Sequence, residues 1–424
     1  MKSSVGKLLI PAVLLLAAAG AMAKSHSRPR HHAASHASHP AAPQAAAQQP
    51  AASLPAASPS VAQPGSSIAP PMATAPVIEA RNWVLVDFVS GQSLAEGNAD
   101  QRVEPASLTK LMSAYVVFSA LRDGRLKMNE DVLISEHAWR AEGSRTFVQV
   151  GTRVPVDVLV KGMIVQSGND ATIALAERVG GSEPAFVQMM NAYAQRLGMK
   201  GTHFEDASGL PSPTHYSTAR DLATLSRAII RDFPQYYPIY SMREYTWNNI
   251  RQENRNGLLE RDPSVDGLKT GHTDSAGYCL ISSALRSGMR LVSVVLGANS
   301  VGARETGSAA LLNYGFNFYE AVGVKKAHEM VLRPRVYKGA EQYVAIAPLS
   351  DVQVMVPRGQ AATVTTRATA RGPLVAPLAA NSAVGELQVD VSGKTVARVP
   401  LYPVAPVAAG GWWRRLIDTI SLWF

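Results

Sequence analysis

Three short strings stand in order along the chain: Ser107-Leu108-Thr109-Lys110, Ser167-Gly168-Asn169 and Lys269-Thr270-Gly271. A serine hydroxyl becomes a useful nucleophile only when a base takes its proton. If Ser107 opens a helix, Lys110 lies one turn on along the same face, so its amine reaches the hydroxyl. Lysine is a base only when neutral, and burial or a second cation such as Lys269 pushes its pKa toward that condition. The helix start also offers Ser107 a backbone N–H and positive potential for a developing oxyanion.

The other strings supply what such a pair lacks. Ser167 adds a second hydroxyl that can pass a proton between Lys110 and a leaving amine. The amide of Asn169 can both donate to and accept from a peptide group. Lys269 and Thr270 suit a carboxylate, and Gly271 lets an extended substrate lie close against a strand. His272 and Thr273 extend this string, and the backbone N–H of His272 can complete an oxyanion hole. A Ser-x-x-Lys string alone arises by chance about once or twice in a chain of this size. Ser-Gly-Asn alone is a good turn, so it is the ordered set that points to acyl transfer.

The surrounding pattern places each string. Trp83–Phe88 followed by Ser90-Gly91 reads as a strand and turn, and Leu108–Leu121 has helical spacing up to Asp123-Gly124. Further helices fit Val156–Val165, Ala171–Val179, and the segment from Ser182 to Gly198. Thr218-Ala219-Arg220-Asp221 has capping-box spacing before a helix to Ile230. Strands are expected at Val265–Thr270, Gly277–Leu285 and Arg290–Leu296, then a helix over Arg304–Ala321. Antiparallel sheet with packed helices makes the fold class α+β. A small all-β unit follows, with strands at Val352–Val356, Ala362–Thr365, Leu387–Val391 and Thr395–Val399, and a hairpin turn at Ser392-Gly393-Lys394.

Composition bounds the rest. The chain has 424 residues, 46% hydrophobic and 17% charged, which suits soluble folded domains. Lys2 and Lys7, an apolar run from Leu8 to Ala19 and Ala21-Met22-Ala23 describe a signal peptide cleaved after Ala23, so the protein is expected to be exported. Residues 24–77 are dominated by Ala, Pro, Ser, Gln and His and are read as a disordered tether. The formal charge of +9 falls to +7 without Lys2 and Lys7, and no nucleic-acid motif accompanies it. Cys279 is the one cysteine, so no intrachain disulfide can form, and its apolar surroundings mark a buried thiol. At the far end, Trp412, Trp413, Leu416, Ile417, Ile420, Trp423 and Phe424 share one side of a helix, with Arg414, Asp418 and Ser421 opposite. Too short to span a bilayer, it suits a membrane surface, or else docks on the β unit or a partner.

Taken together, Ala106–Met112, Ser167–Ala171 and the run Val265–Thr273 resemble the low-molecular-mass penicillin-binding proteins that act as D-alanyl-D-alanine carboxypeptidases. The resemblance spans about residues 80–405 and implies a β-lactamase-like catalytic domain over 78–325, a small β-sandwich-like domain over 326–405, and a linker and anchor helix over 406–424. It makes Ser107 the acyl-enzyme nucleophile, Lys110 its base and Ser167 a proton shuttle. Asn169, Lys269, Thr270, Gly271 and His272 would bind substrate, and Arg290 resembles a family arginine near the carboxylate pocket. The expected partners are peptidoglycan stem peptides, with β-lactams as inhibitors and the periplasmic side of the inner membrane as the anchoring surface. Neither metal nor cofactor is required.

Three other readings share parts of this pattern. A class A β-lactamase needs a Glu-x-x-Leu-Asn element, which the Gly201–Asp221 stretch lacks. A D,D-endopeptidase would carry the same three strings. A non-catalytic wall-binding scaffold would not need Ser107, Lys110 and Lys269 to be present together.

Overall fold

The computed structural model describes residues 74–422, so the signal peptide, nearly all of the tether, and Trp423 and Phe424 lie outside the described residues. The larger half is organised by a five-stranded antiparallel sheet, in the order Ser93–Gly97, Asn82–Asp87, Met289–Ala298, Gly277–Arg286, Val265–Thr273. Successive side chains of a strand point to opposite faces. Val84 and Val86 therefore enter one apolar layer with Leu268, Ile281, Val292 and Val294, while Leu85 enters the other with Leu280, Leu291 and Val295.

The first layer is covered by helices Lys110–Arg122, Asn169–Gly180, Glu183–Arg196 and Ala219–Asp232, the second by Val301–Phe318. Ser182, Thr218 and Ser300 cap their helices by accepting from the backbone N–H three residues on. At Thr218 only half of the expected capping box forms. The Asp221 carboxylate instead accepts from Gly201 N and Thr202 Oγ1, at 2.8 and 2.7 Å.

Two expected helices change character. Val156–Lys161 is α-helical, but Gly162–Gln166 widens into a π turn that ends on Ser167, where φ is +67°. The helix expected over Arg304–Ala321 begins at Val301, capped by Ser300, and stops at Phe318. Tyr319–Lys325 is a strand instead, because it pairs along its length with Val352–Pro357 of the smaller unit.

That unit also holds the sheet Ile346–Ala347, Lys394–Pro403, Gly385–Val391, Val364–Ala370 over its own apolar core. The strand expected from Ala362 starts at Val364, after a short 3-10 turn. Ser392 and Gly393 both have positive φ, +50° and +77°, as a two-residue hairpin turn demands. The Gln92 amide ties the halves by donating to Met355 O and accepting from Met355 N, each at 3.0 Å.

The last helix, Trp412–Ser421, docks on the small unit by its polar side. Asp418 is buried and accepts from Lys338 N at 2.6 Å and Arg335 Nη2 at 3.2 Å, while Arg414 Nη1 donates to Ala340 O. Trp412, Trp413, Leu416, Ile417 and Ile420 face away, each 49–67% exposed. No helix among the described residues is long and apolar enough to cross a membrane.

Candidate active site

Ser107 sits in a 3-10 turn, Ala106–Thr109, that leads directly into helix Lys110–Arg122. This geometry brings Lys110 Nζ to 3.0 Å from Ser107 Oγ and 2.6 Å from the Ser208 carbonyl oxygen. Lys110 is only 2% exposed. Burial lowers its pKa to about 7, with Arg255 pushing the same way and the Asp206 and Asp170 carboxylates opposing. Near neutral pH a large share of the amine is therefore free to accept a proton.

The Lys269–Gly271 string lies in strand Val265–Thr273, flush against the serine turn. A β-carbon on Gly271 would meet Pro105 O at 3.1 Å and Ala106 Cβ at 3.3 Å, which explains the glycine. Lys269 is buried and donates to Thr270 O at 3.0 Å. Burial, then the neighbouring Lys110, Arg255 and Arg304, hold its pKa well below that of an ordinary lysine. Beyond it, the His272 ring lies against Tyr278, centroids 4.1 Å apart, at the lip.

The middle string is fixed from behind. Asn169 N donates to Ser144 O at 2.7 Å and Asn169 Nδ2 to Glu142 O at 2.6 Å, pinning the loop that forms one wall. Asp170 accepts from Thr146 N and Phe147 N, at 2.7 and 2.8 Å. Gly168 admits no side chain, since a β-carbon would stand 2.0 Å from Thr146 Oγ1. Ser167 Oγ and Asn169 Oδ1 are buried and have no hydrogen-bond partner, an arrangement that calls for an incoming group.

These elements enclose a cleft of about 470 Å³ lined by Ser107, Ser167, Thr270, Gly271, His272, Arg255 and Arg304, among others. Lys110, Asn169 and Lys269 stand behind its surface. No carboxylate belongs to its lining among the described residues. The cleft thus presents a serine hydroxyl beside a buried amine, with Lys269, Arg255 and Arg304 close by.

Arg290 is elsewhere. Strand pairing sets it opposite Leu285, whereas Thr270 pairs with Leu280, so it falls toward the far end of the sheet. There it forms an ion pair with Asp266, at 2.7 and 2.8 Å, and donates to Ser283 Oγ at 2.6 Å. The arginines at the cleft are Arg304 and Arg255, which sequence reasoning missed. Arg304 is 5% exposed and donates to Arg255 O at 3.2 Å and Cys279 O at 3.3 Å. Its helical position, one turn inside Val301–Phe318, gave no motif to read.

Comparison with known proteins agrees with this geometry. A family model described as D-alanyl-D-alanine carboxypeptidase matches residues 70–300, and the C-terminal domain of penicillin-binding protein 5 matches 319–407. The chain is 41% identical over 357 residues to the D-alanyl-D-alanine carboxypeptidase DacA of Escherichia coli (strain K12), covering 82% of this chain and 89% of that one. It is 42% identical over 358 residues to DacC of the same strain, covering 82% and 90%. The crystal structure of penicillin binding protein 5 from Haemophilus influenzae superposes with a TM-score of 0.74 at 42% identity, over 79% of this chain and 99% of that one. On these matches of sequence and fold the chain belongs to the D-alanyl-D-alanine carboxypeptidase family of penicillin-binding proteins.

Proposed function

We propose that this protein is a serine D-alanyl-D-alanine carboxypeptidase that trims the terminal D-Ala from peptidoglycan stem peptides, with Ser107 as its nucleophile. The observation that carries the reading is the 3.0 Å contact between Ser107 Oγ and a buried Lys110 Nζ with a pKa of about 7. In this mechanism the Lys110 amine takes the Ser107 proton while Oγ bonds to the carbonyl carbon of the penultimate D-Ala. Backbone N–H groups of Ser107 and His272 receive the oxyanion. The C–N bond then breaks, and the proton passes from Lys110 through Ser167 to the departing D-Ala amine. A water repeats the sequence against the ester, returning the proton to Ser107.

The excess of cations selects the substrate. Lys269, Thr270 and Arg304 converge where a C-terminal carboxylate would lie, and an arriving anion restores the charge that burial denies Lys269. Asn169 and Gly271 hold the peptide backbone. β-Lactams acylate the same serine by the same attack. We also place the protein outside the inner membrane, exported by residues 1–23 and held peripherally by the exposed apolar face of helix Trp412–Ser421.

The test is D-alanine release from a peptide ending in D-Ala-D-Ala, with Ser107→Ala as control. Release by the parent and none by the variant is expected. An inactive parent that still cleaves cross-linked muropeptides would replace this reading with that of an endopeptidase.

A further inference from the structure

Behind the catalytic pair lies a buried polar chain that the reaction above leaves unused. Residues 206–210 fold beneath the serine turn. At Gly209, where φ is +91°, a β-carbon would meet the Ala106 carbonyl oxygen at 1.8 Å. Asp206 gathers this segment: its Oδ1 accepts from Gly209 N at 2.6 Å, Ser208 N at 2.7 Å and Ser208 Oγ at 3.0 Å. Its Oδ2 faces His215 Nδ1 at 3.1 Å. His215 is 2% exposed, and its Nε2 lies 2.9 Å from Oγ1 of Thr109, a member of the first string. The segment ends by presenting the Ser208 carbonyl to Lys110 Nζ.

Burial pushes the Asp206 carboxyl up, but His215 and the N–H groups of Gly209 and Ser208 outweigh it and bring the pKa to about 2. A carboxylate ionised at working pH requires a hydrogen on Nδ1, so Glu205 N, 3.4 Å from that atom, is only a neighbour. Nε2 is left for the Thr109 hydroxyl. The chain from Asp206 through His215 to Thr109 therefore links the segment under Lys110 to the turn that carries Ser107.

We propose that Asp206 and His215 are positioning residues for the general base, fixing the Ser208 carbonyl on one N–H of Lys110 so that the amine lone pair faces Ser107 Oγ. A neutral amine has two hydrogens and one lone pair, so anchoring a hydrogen orients the pair. The charged groups around Lys110 are Asp206 on this segment, Asp170 on helix Asn169–Gly180, Arg255, and Lys269 on its strand. Of these the Asp206 and Asp170 anions favour the protonated amine, Asp206 the more strongly, and Arg255 opposes them.

This inference rests on Ser107 and Lys110 acting as proposed above. Its test is the second-order rate of acylation of the full chain by a fluorescent penicillin between about pH 5 and pH 10, where the free base is titrated. Asp206→Asn keeps an oxygen for Ser208 N and Gly209 N but removes the charge, so the acid limb of the profile moves to lower pH. His215→Phe keeps the charge and frees the segment. Its plateau rate falls by about tenfold to a hundredfold, in the acylation step rather than in binding. His215→Gln, with a donor for Asp206 and an acceptor for Thr109, recovers most of that loss. An Asp206→Asn profile that superimposes on the parent's overturns the inference, as does a well-folded His215→Phe within about twofold of it. If His215→Phe does not fold, the Asp206→Asn limb decides alone. A parent that is never acylated overturns the reading of Ser107, and this one with it.

Discussion

At the cleft, Lys110 and Lys269 are folded into the interior, while at the terminal helix Trp412, Trp413 and Ile417 are left outside it. Each region inverts the ordinary sorting of side chains, in opposite directions. An unpaired buried cation costs free energy, and an exposed apolar side chain forgoes about 1.5–3 kcal/mol of burial. In the proposed function both costs are removed by something that arrives: an anionic substrate end at the cleft, an apolar surface at the helix. The two regions differ in how they meet their cost. The cleft is pinned by hydrogen bonds, whereas the helix is held by its polar edge, leaving the other side free.

Breaking the first inversion should have the largest effect. Lys110→Met keeps the bulk and removes the buried charge. Acylation by penicillin should fall by about 10²–10⁴-fold, while the melting temperature measured by circular dichroism should hold or rise. A fall in both would mean that the lysine is structural rather than catalytic. Removing the second inversion should leave chemistry intact. The triple change Trp412→Ser, Ile417→Ser, Ile420→Ser should abolish co-sedimentation with anionic vesicles, with D-alanine release from a soluble peptide unaltered. Continued pelleting would refute the membrane role of that face.

The smallest effect sharpens the contrast. Asp418→Asn retains an acceptor for Lys338 N but loses the ion pair with Arg335. Because that arginine is partly exposed, the cost should be about 1 kcal/mol or less. It should appear as faster hydrogen exchange confined to helix Trp412–Ser421, with the remaining chain unchanged. Faster exchange spreading into the β unit would show the helix to be part of that unit's core.

Much of this was legible in the residues. Ser107, Lys110, Ser167, Asn169, Lys269, Thr270, Gly271 and His272 meet around one cleft because local strings set local geometry, and a three-residue offset in a helix start has one spatial outcome. Arg290 failed for the opposite reason. Which arginine reaches the cleft depends on how far strand Met289–Ala298 slides past its neighbour, and a one-dimensional pattern does not carry that register. The end of helix Val301–Phe318 was missed because Tyr319–Lys325 becomes a strand only through a partner some thirty residues later. Asp206 and His215 are separated by a loop whose closure depends on Gly209 passing under Ala106, and nothing in their spacing announces it.

Met355 belongs to both halves at once. It closes the ring of hydrogen bonds with Gln92, and its side chain is 1% exposed in the apolar layer that holds Leu85, Leu94, Leu311 and Leu312. The seam between the halves is therefore built as protein interior, where domain borders are usually polar and loosely held. Heat finds no seam to open first. The two halves should lose their structure in one cooperative transition, so that damage to the small unit is felt as lost stability around Ser107.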